Sequence, residues 1–138
     1  MITTYLWVAV GGALGSMARF WMAAFVAELL GPQFPYGPRL PWGTILINIL
    51  GSFVIGFFAT FTGPGGRIVA SFDTRAFVMV GICGGFTTFS AFSLQTLDLM
   101  RDNHWGQAMA NVLISVIVCL LAVWAGHLLA TVLNPASE

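Results

Sequence analysis

Phenylalanines and hydroxyl side chains alternate in the sequence F-T-T-F-S-A-F-S at residues 86–93. Phe86, Phe89 and Phe92 recur every three residues, so Phe89 and Phe92 share one face once a helix has formed. The edges of aromatic rings are electropositive, and serine and threonine hydroxyls donate hydrogen bonds. Together these groups could hold a small anion weakly, without the charge of a lysine or an arginine.

The segment that leads into these phenylalanines is rich in glycine. Gly81, Gly84 and Gly85 are followed by the paired residues Thr87 and Thr88. Glycine and threonine have low helix propensity, whereas the sequence on both sides is apolar and compatible with a helix. Backbone groups freed by a break cost several kcal/mol if they face lipid. The sequence therefore predicts a broken membrane helix whose opened turn lines a space that is buried in protein or wet.

Polar and small side chains recur every fourth residue in two other apolar segments, which aligns each set along one face of a helix. The first set is Thr44, Asn48, Ser52, Gly56 and Thr60, and the second is Gln107, Asn111, Ser115 and Cys119. An amide in the middle of a membrane helix needs hydrogen-bond partners, which favours a functional role for Asn48. Two interpretations of the second set stay open: a polar path, or a hydrogen-bonded seam with the first set.

Arg19 lies within the first apolar segment, on the same helical face as Gly12 and Gly15. An arginine inside a membrane helix costs at least about 3 kcal/mol unless its side chain reaches the interface or finds partners. It could anchor the helix at the interface, cap the carbonyls of the broken helix, or attract anions to a vestibule. We favour the two structural roles.

The overall composition is that of an integral membrane protein. Hydrophobic residues make up 58% of the 138 residues and charged residues 7%, whereas about a quarter of a soluble domain is charged. At about 20 apolar residues per crossing, the chain is expected to form a single domain, residues 1–138, with four membrane helices. We expect these helices at 3–30, 43–61 and 107–133 and, interrupted near its middle, at 73–101.

The inventory of polar residues excludes several classes of function. The net charge is zero and no basic cluster is present, so no nucleic-acid partner is expected. No Ser-His-Asp set and no metal-binding cluster is visible, and Cys83 and Cys119 are expected to be reduced, so the protein is predicted not to be an enzyme. A proton-coupled pump would need a carboxylate in mid-membrane, whereas Asp73, Asp98 and Asp102 fall near membrane boundaries. Passive conduction is favoured.

The positive charges give no preferred orientation in the membrane. The chain has no lysine; with four crossings, Arg67 and Arg75 lie on one side and Arg39 and Arg101 on the other. Because an excess of lysine and arginine on one side normally fixes orientation, a balance of two against two leads us to hypothesise dual topology. Two oppositely inserted copies could then pair about an axis in the membrane plane.

Three motifs carry a resemblance to a known family. They are G-G-A-L-G-S-M-A-R-F at 11–20, G-T-I-L-I-N-I-L-G-S-F at 43–53 and G-G-F-T-T-F-S-A-F-S at 84–93. Over essentially its full length the chain resembles the small fluoride channels called Fluc or CrcB. The resemblance implies an all-α membrane protein that exports fluoride selectively across the bacterial inner membrane. It also implies an antiparallel, dual-topology homodimer with two pores, surrounded by membrane lipid.

The resemblance also implies roles for individual residues. Phe89 and Phe92 are similar to pore phenylalanines whose ring edges meet fluoride, and Asn48 is similar to a pore asparagine. Gly84 and Thr87 resemble positions whose backbone carbonyls, from both subunits, hold a central structural sodium ion. Further polar pore-lining positions and a vestibule arginine correspond to Thr44, Ser90, Ser115 and Arg19, respectively.

The chain departs from the family pattern at three positions. Ala91 stands where threonine is common, Gln95 where an acidic residue is frequent, and Asn111 where a tyrosine can occur. These changes predict a different local solvation of the ion path. Two alternative functions are a small dual-topology multidrug exporter, which would need an essential acid within the membrane, and a helper subunit without transport activity.

Overall fold

The computed structural model describes residues 1–30 and 40–134; Arg39 and most of the loop around it lie outside this range. The described part is all helical, and four spans are long and apolar enough to cross a membrane. The helices are α1 (Ile2–Leu30), α2 (Trp42–Phe61), α3 (made of Phe72–Arg75, Ala76–Cys83 and Gly84–Phe86), α4 (Phe89–Arg101) and α5 (Trp105–Leu133). Since α3 and α4 together form the third span, the predictions of four helices and of an interrupted third helix are confirmed.

The third span changes its winding before it breaks. Residues Ala76–Cys83 form a π-helix, a rare wide winding that is frequent at functional sites and that the sequence did not predict. After Phe86 the chain becomes extended at Thr87 (φ −79°, ψ 160°) and Thr88 (φ −153°, ψ 112°). The hydroxyl of Thr88 then accepts a hydrogen bond from Ala91 N at 3.2 Å, which caps the first turn of α4.

Glycines allow the two main helix pairs to approach closely. A Cβ atom at Gly15 would clash with the carbonyl oxygen of Ile82, so α1 packs directly against the backbone of α3. A Cβ atom at Gly126 would clash in the same way with the carbonyl oxygen of Phe53, where α5 packs on α2. Small residues at such contacts are the usual means by which membrane helices associate. The resulting pairs, α1 with α3 and α2 with α5, meet at the break, where Gly51 of α2 lies against the side chain of Thr87.

Two arginines stabilise helix ends at one end of the bundle. Arg75 Nη1 donates to Ala59 O at 3.2 Å and to Thr62 Oγ1 at 2.7 Å, where α2 ends. Arg67 Nη1 donates to Leu133 O at 3.4 Å, where α5 ends. Cations are favourable at helix C-termini because the last carbonyls carry partial negative charge. Both arginines therefore have a structural role, because their guanidinium groups bond the C-terminal ends of α2 and α5.

Candidate functional site

A cavity of about 490 Å³ lies beside the break in the third span. Its walls come from α2, α3, α4 and α5. Of the nine residues singled out from the sequence, six line it: Asn48, Gly84, Thr87, Phe89, Phe92 and Ser115. Residues far apart in the chain, on four helices, therefore meet at one place.

Asn48 spans the break with both ends of its amide group. Its Nδ2 donates to Thr88 O at 3.2 Å, and its Oδ1 accepts from Thr88 N at 2.8 Å. The side chain thus replaces the hydrogen bond that Thr88 N would make in a continuous helix, and it adds a second donor to Thr88 O. An amide nitrogen has two protons, so Nδ2 keeps a second donor besides the bond to Thr88.

The break leaves the four carbonyl groups of residues 84–87 without their ordinary helical donors, and those of Gly84 and Thr87 are two of them. In a continuous α-helix the N–H of Thr88 would bond Gly84 O, and the N–H of Ala91 would bond Thr87 O. Here Thr88 N bonds the side chain of Asn48, and Ala91 N bonds the side chain of Thr88. The carbonyls of Gly84 and Thr87 are the pair for which the resemblance implied a sodium ion. Carbonyl oxygens are suitable ligands for a hard cation, so the residues present fit such an ion.

Phe89 and Phe92 form an aromatic pair on the α4 wall. Their ring centroids are 5.3 Å apart and the ring planes are tilted by 45°. Phe92 is half-buried, whereas Phe89 is 79% exposed at the outer surface of the chain. The pair therefore reaches from the inside of the cavity to a surface that a neighbouring molecule could cover.

The polar set on α5 forms a buried network with α4. Asn111 is fully buried (0% exposed), and its Nδ2 donates to Thr96 Oγ1 at 2.8 Å. Ser115, which lines the cavity, donates through its Oγ to Asn111 Oδ1 at 3.4 Å. The side chains of Asn111 and Ser115 thus bond within α5 and to α4, not to the polar set on α2 as the seam interpretation required. A bond between the two sets' helices is present near one end, where Thr60 Oγ1 lies 2.8 Å from His127 Nδ1.

Three residues singled out from the sequence lie elsewhere. Thr44 is buried and lines a second cavity of about 270 Å³, together with Gln95 and the end of α1. Ser90 is exposed, with its hydroxyl 3.2 Å from Thr88 Oγ1. Arg19 is half-buried on α1 and lines neither cavity. The structure therefore does not bring these three side chains to the cavity beside the break.

Sequence reasoning missed two features of this cavity. Thr88 is central, because it caps α4 and bonds Asn48; a threonine before a helix start is an N-cap signal that would have found the first of these roles. Cys83 and Cys119, 36 positions apart by their numbers, both line the cavity as free thiols. No spacing rule connects them, so only the structure shows that they line the same cavity.

The chemistry offered by the cavity is that of neutral donors and acceptors. Within residues 1–30 and 40–134, no group of three or more histidine, cysteine or acidic side chains is placed to hold a metal ion. Asn48, Ser115, Phe89 and Phe92 instead line the cavity with residues that carry an amide, a hydroxyl and two aromatic rings. Such groups can bind and release an ion, and none is a strong acid, base or nucleophile.

Comparisons with known proteins identify a family match and several similar proteins. Residues 6–127 match the family described as CrcB-like protein, Camphor Resistance (CrcB). A protein of Methylocella silvestris named fluoride-specific ion channel FluC is 55% identical over 130 residues, which cover 94% of this chain and 95% of that protein. Proteins with the same name from Opitutus terrae and Gluconobacter oxydans are 53% and 55% identical over 133 residues, which cover 96% of this chain and 96% and 88% of theirs. The chain therefore belongs to the CrcB-like family.

Proposed function

We propose that the protein is a fluoride-selective ion channel of the bacterial inner membrane, through which fluoride leaves the cell passively. The observation that carries this proposal is the meeting of Asn48, Phe89, Phe92 and Ser115 on one cavity. It is supported by relatives, about half identical in sequence over nearly the whole chain, that are named fluoride-specific ion channels.

The lining suits a small anion that must lose part of its water shell. Fluoride is costly to dehydrate, so a pore for it must supply replacement donors at close quarters. The spare Nδ2 proton of Asn48, the hydroxyl of Ser115 and the ring edges of Phe89 and Phe92 are such donors. Because none carries a full positive charge, the ion can leave again.

Export of this kind requires neither ATP hydrolysis nor a coupled ion gradient. A negative-inside membrane potential drives one negative charge outwards with about 2.3 kcal/mol per 100 mV. The four acidic side chains within residues 1–30 and 40–134 all lie near helix ends, as passive conduction allows. Glu28 and Asp98 lie two and three residues from the ends of α1 and α4, Asp73 is the second residue of α3, and Asp102 directly follows α4. A coupled exporter would need such a group in mid-membrane.

The channel would be an antiparallel homodimer of dual topology, with two pores and membrane lipid around it. In the single chain, Phe89 is 79% exposed beside the exposed Ser90, and Gly84 is also exposed at the break. Backbone carbonyls without hydrogen-bond donors cost several kcal/mol of free energy when they face lipid, so this surface requires a protein partner. The balanced arginines of the sequence favour a second copy inserted the other way.

A structural sodium ion would lie between the two copies, held by the carbonyls of Gly84 and Thr87. Each copy supplies two carbonyl oxygens whose helical donors are engaged elsewhere, so a pair of copies supplies four. When bound, the ion would balance the partial negative charge of these oxygens. In each chain, the amide of Asn48 and the hydroxyl of Thr88 keep the two carbonyls free.

The test is voltage-driven efflux from liposomes that contain the purified protein. A potassium gradient with valinomycin sets the potential, and ion-selective electrodes follow fluoride and chloride in parallel. We expect rapid fluoride efflux with little chloride efflux. Folded protein that releases no fluoride would contradict the proposal and would favour a helper role; fluoride release that also requires a proton gradient would favour an exporter.

A further inference from the structure

The hydroxyl of Ser115 bonds differently from other hydroxyls in these helices. Thr60, Ser93, Thr96 and Thr131 each donate to the carbonyl oxygen four residues before, at 3.0, 2.9, 2.7 and 2.9 Å. Ser115 Oγ instead donates to the side-chain oxygen of Asn111, at 3.4 Å. Because hydroxyl hydrogen bonds are ordinarily about 2.7–2.8 Å long, the proton of Ser115 is held weakly.

The network fixes which end of the Asn111 amide faces Ser115. Thr96 Oγ1 donates its single proton to Phe92 O at 2.7 Å, so towards Asn111 it can act only as an acceptor. The Nδ2 group of Asn111 therefore points to Thr96, at 2.8 Å, and Oδ1 points to Ser115. Asn111 is 0% exposed, so water does not compete for these bonds. Donation runs in one direction, from Ser115 through Asn111 and Thr96 to the carbonyl of Phe92.

We propose that Asn111 is a positioning residue that keeps the proton of Ser115 on a weak acceptor, ready for an anion in the cavity. Without Oδ1 of Asn111, Ser115 would donate to the main-chain carbonyl of residue 111, as the four hydroxyls above do to theirs. That stronger bond would have to break before the proton could replace a water molecule of the ion. Thr96 takes part by holding the amide in the required orientation. This inference rests on the proposed conduction of fluoride.

Thr96→Val tests the inference, with Thr96→Ser as its matched control. Valine keeps the shape of threonine and removes the oxygen that orients Asn111, whereas serine keeps that oxygen. Since one hydrogen bond contributes on the order of 1 kcal/mol, we expect Thr96→Val to lower fluoride efflux from liposomes about threefold to tenfold. Thr96→Ser should stay within about twofold of the native protein. Asn111→Leu, of similar size and without an amide, is a second variant if Thr96→Val does not fold.

A repeat in the Ser115→Ala background separates positioning from general packing. If Thr96 and Asn111 act through Ser115, Thr96→Val changes fluoride efflux by less than about twofold there, while its effect on the midpoint of thermal unfolding persists. An equal loss of efflux in both backgrounds, or no loss in either, would overturn the inference while fluoride conduction by the native protein still stands. Native protein that carries no fluoride would overturn both this inference and the proposed function.

Discussion

At the scale of single residues, the site depends on groups that are neutral yet directional. The amide of Asn48 has two tasks, because it holds the broken helix at Thr88 and keeps one proton for the cavity. Phe92 and Phe89 line the cavity with neutral rings, and in the proposed channel their electropositive edges would bind an anion less firmly than a charged donor would. Each of these residues can be tested by a change that keeps its size and removes one property.

Phe92→Ile and Phe89→Ile should each reduce fluoride efflux by at least about tenfold while the protein stays folded and dimeric. Isoleucine keeps the apolar bulk and removes the electropositive ring edge, so an anion loses a contact and not merely space. Phe20→Ile is the control, because Phe20 on α1 is 79% exposed, as Phe89 is, and lies outside the cavity. Normal efflux through Phe92→Ile would remove that ring from the ion path.

Asn48→Leu should lower the thermal midpoint and weaken the dependence of that midpoint on sodium. The N–H of Thr88 loses its partner, at about 1–3 kcal/mol for a buried group left unbonded, and its C=O loses one of two donors. Thr88 N can then bond Gly84 O, which withdraws an oxygen from the proposed cation site. Unfolding of the purified protein with and without sodium measures both effects, with Ser52→Ala, one turn later on α2, as the control. A midpoint that rises with sodium equally in native and variant protein would contradict the coupling.

At the scale of helices, glycines determine how closely the elements pack. Gly15 lies against the backbone of α3 near Phe86, immediately before the break, whereas Gly12 has open space where a Cβ atom would be. The two glycines belong to one short motif and differ only in what faces them. They therefore form a matched pair for measuring what the close contact between α1 and α3 contributes.

Gly15→Ala should destabilise the protein, and Gly12→Ala should not. The added methyl group at Gly15 would overlap with Ile82 O and with the backbone at Phe86, and overpacking of this kind costs about 1–3 kcal/mol. At Gly12 the methyl group meets no atom, and alanine favours a helix over glycine. Thermal unfolding in detergent measures the difference. Equal midpoints for the two variants would mean that α1 and α3 can separate freely.

The sequence predicted the helices well and their contacts only in part. Apolar length located all four spans; α1 and α2 begin one residue earlier than expected and α5 two, at Trp105. The break was predicted because glycine and threonine pairs disfavour a helix, whereas the π-helix at Ala76–Cys83 has no comparable signature. Four-residue spacing aligned Asn48 with Thr44 on one face, but it could not tell that Thr44 would lie at a different cavity.

At the scale of the whole molecule, the proposed dimer would complete a site of which the single chain supplies one half. Its cavity is walled by four helices, yet Phe89 and Gly84 lie at an exposed surface where opened backbone could not be left to lipid. An antiparallel second copy would bring a second break to the first and complete both ion paths. Channel activity would then require that both orientations of the chain be present in the membrane.

Asn103→Cys measures orientation, because Asn103 is exposed in the turn between α4 and α5. In a background of Cys83→Ala and Cys119→Ala, a membrane-impermeant maleimide should label about half of the copies in intact cells and all of them after lysis, since balanced arginines impose no side. Fluoride efflux by the triple variant controls for folding. Complete labelling, or none, before lysis would contradict dual topology.

The central claim, passive and selective conduction of fluoride, is tested most directly by the reversal potential in a planar lipid bilayer. With a tenfold fluoride gradient, equal chloride and equal pH on both sides, a fluoride-selective channel reverses its current near the fluoride equilibrium potential, about 59 mV from zero. We predict that value, unchanged when a pH difference is added. Reversal at zero, or a reversal potential that moves with pH, would contradict the account.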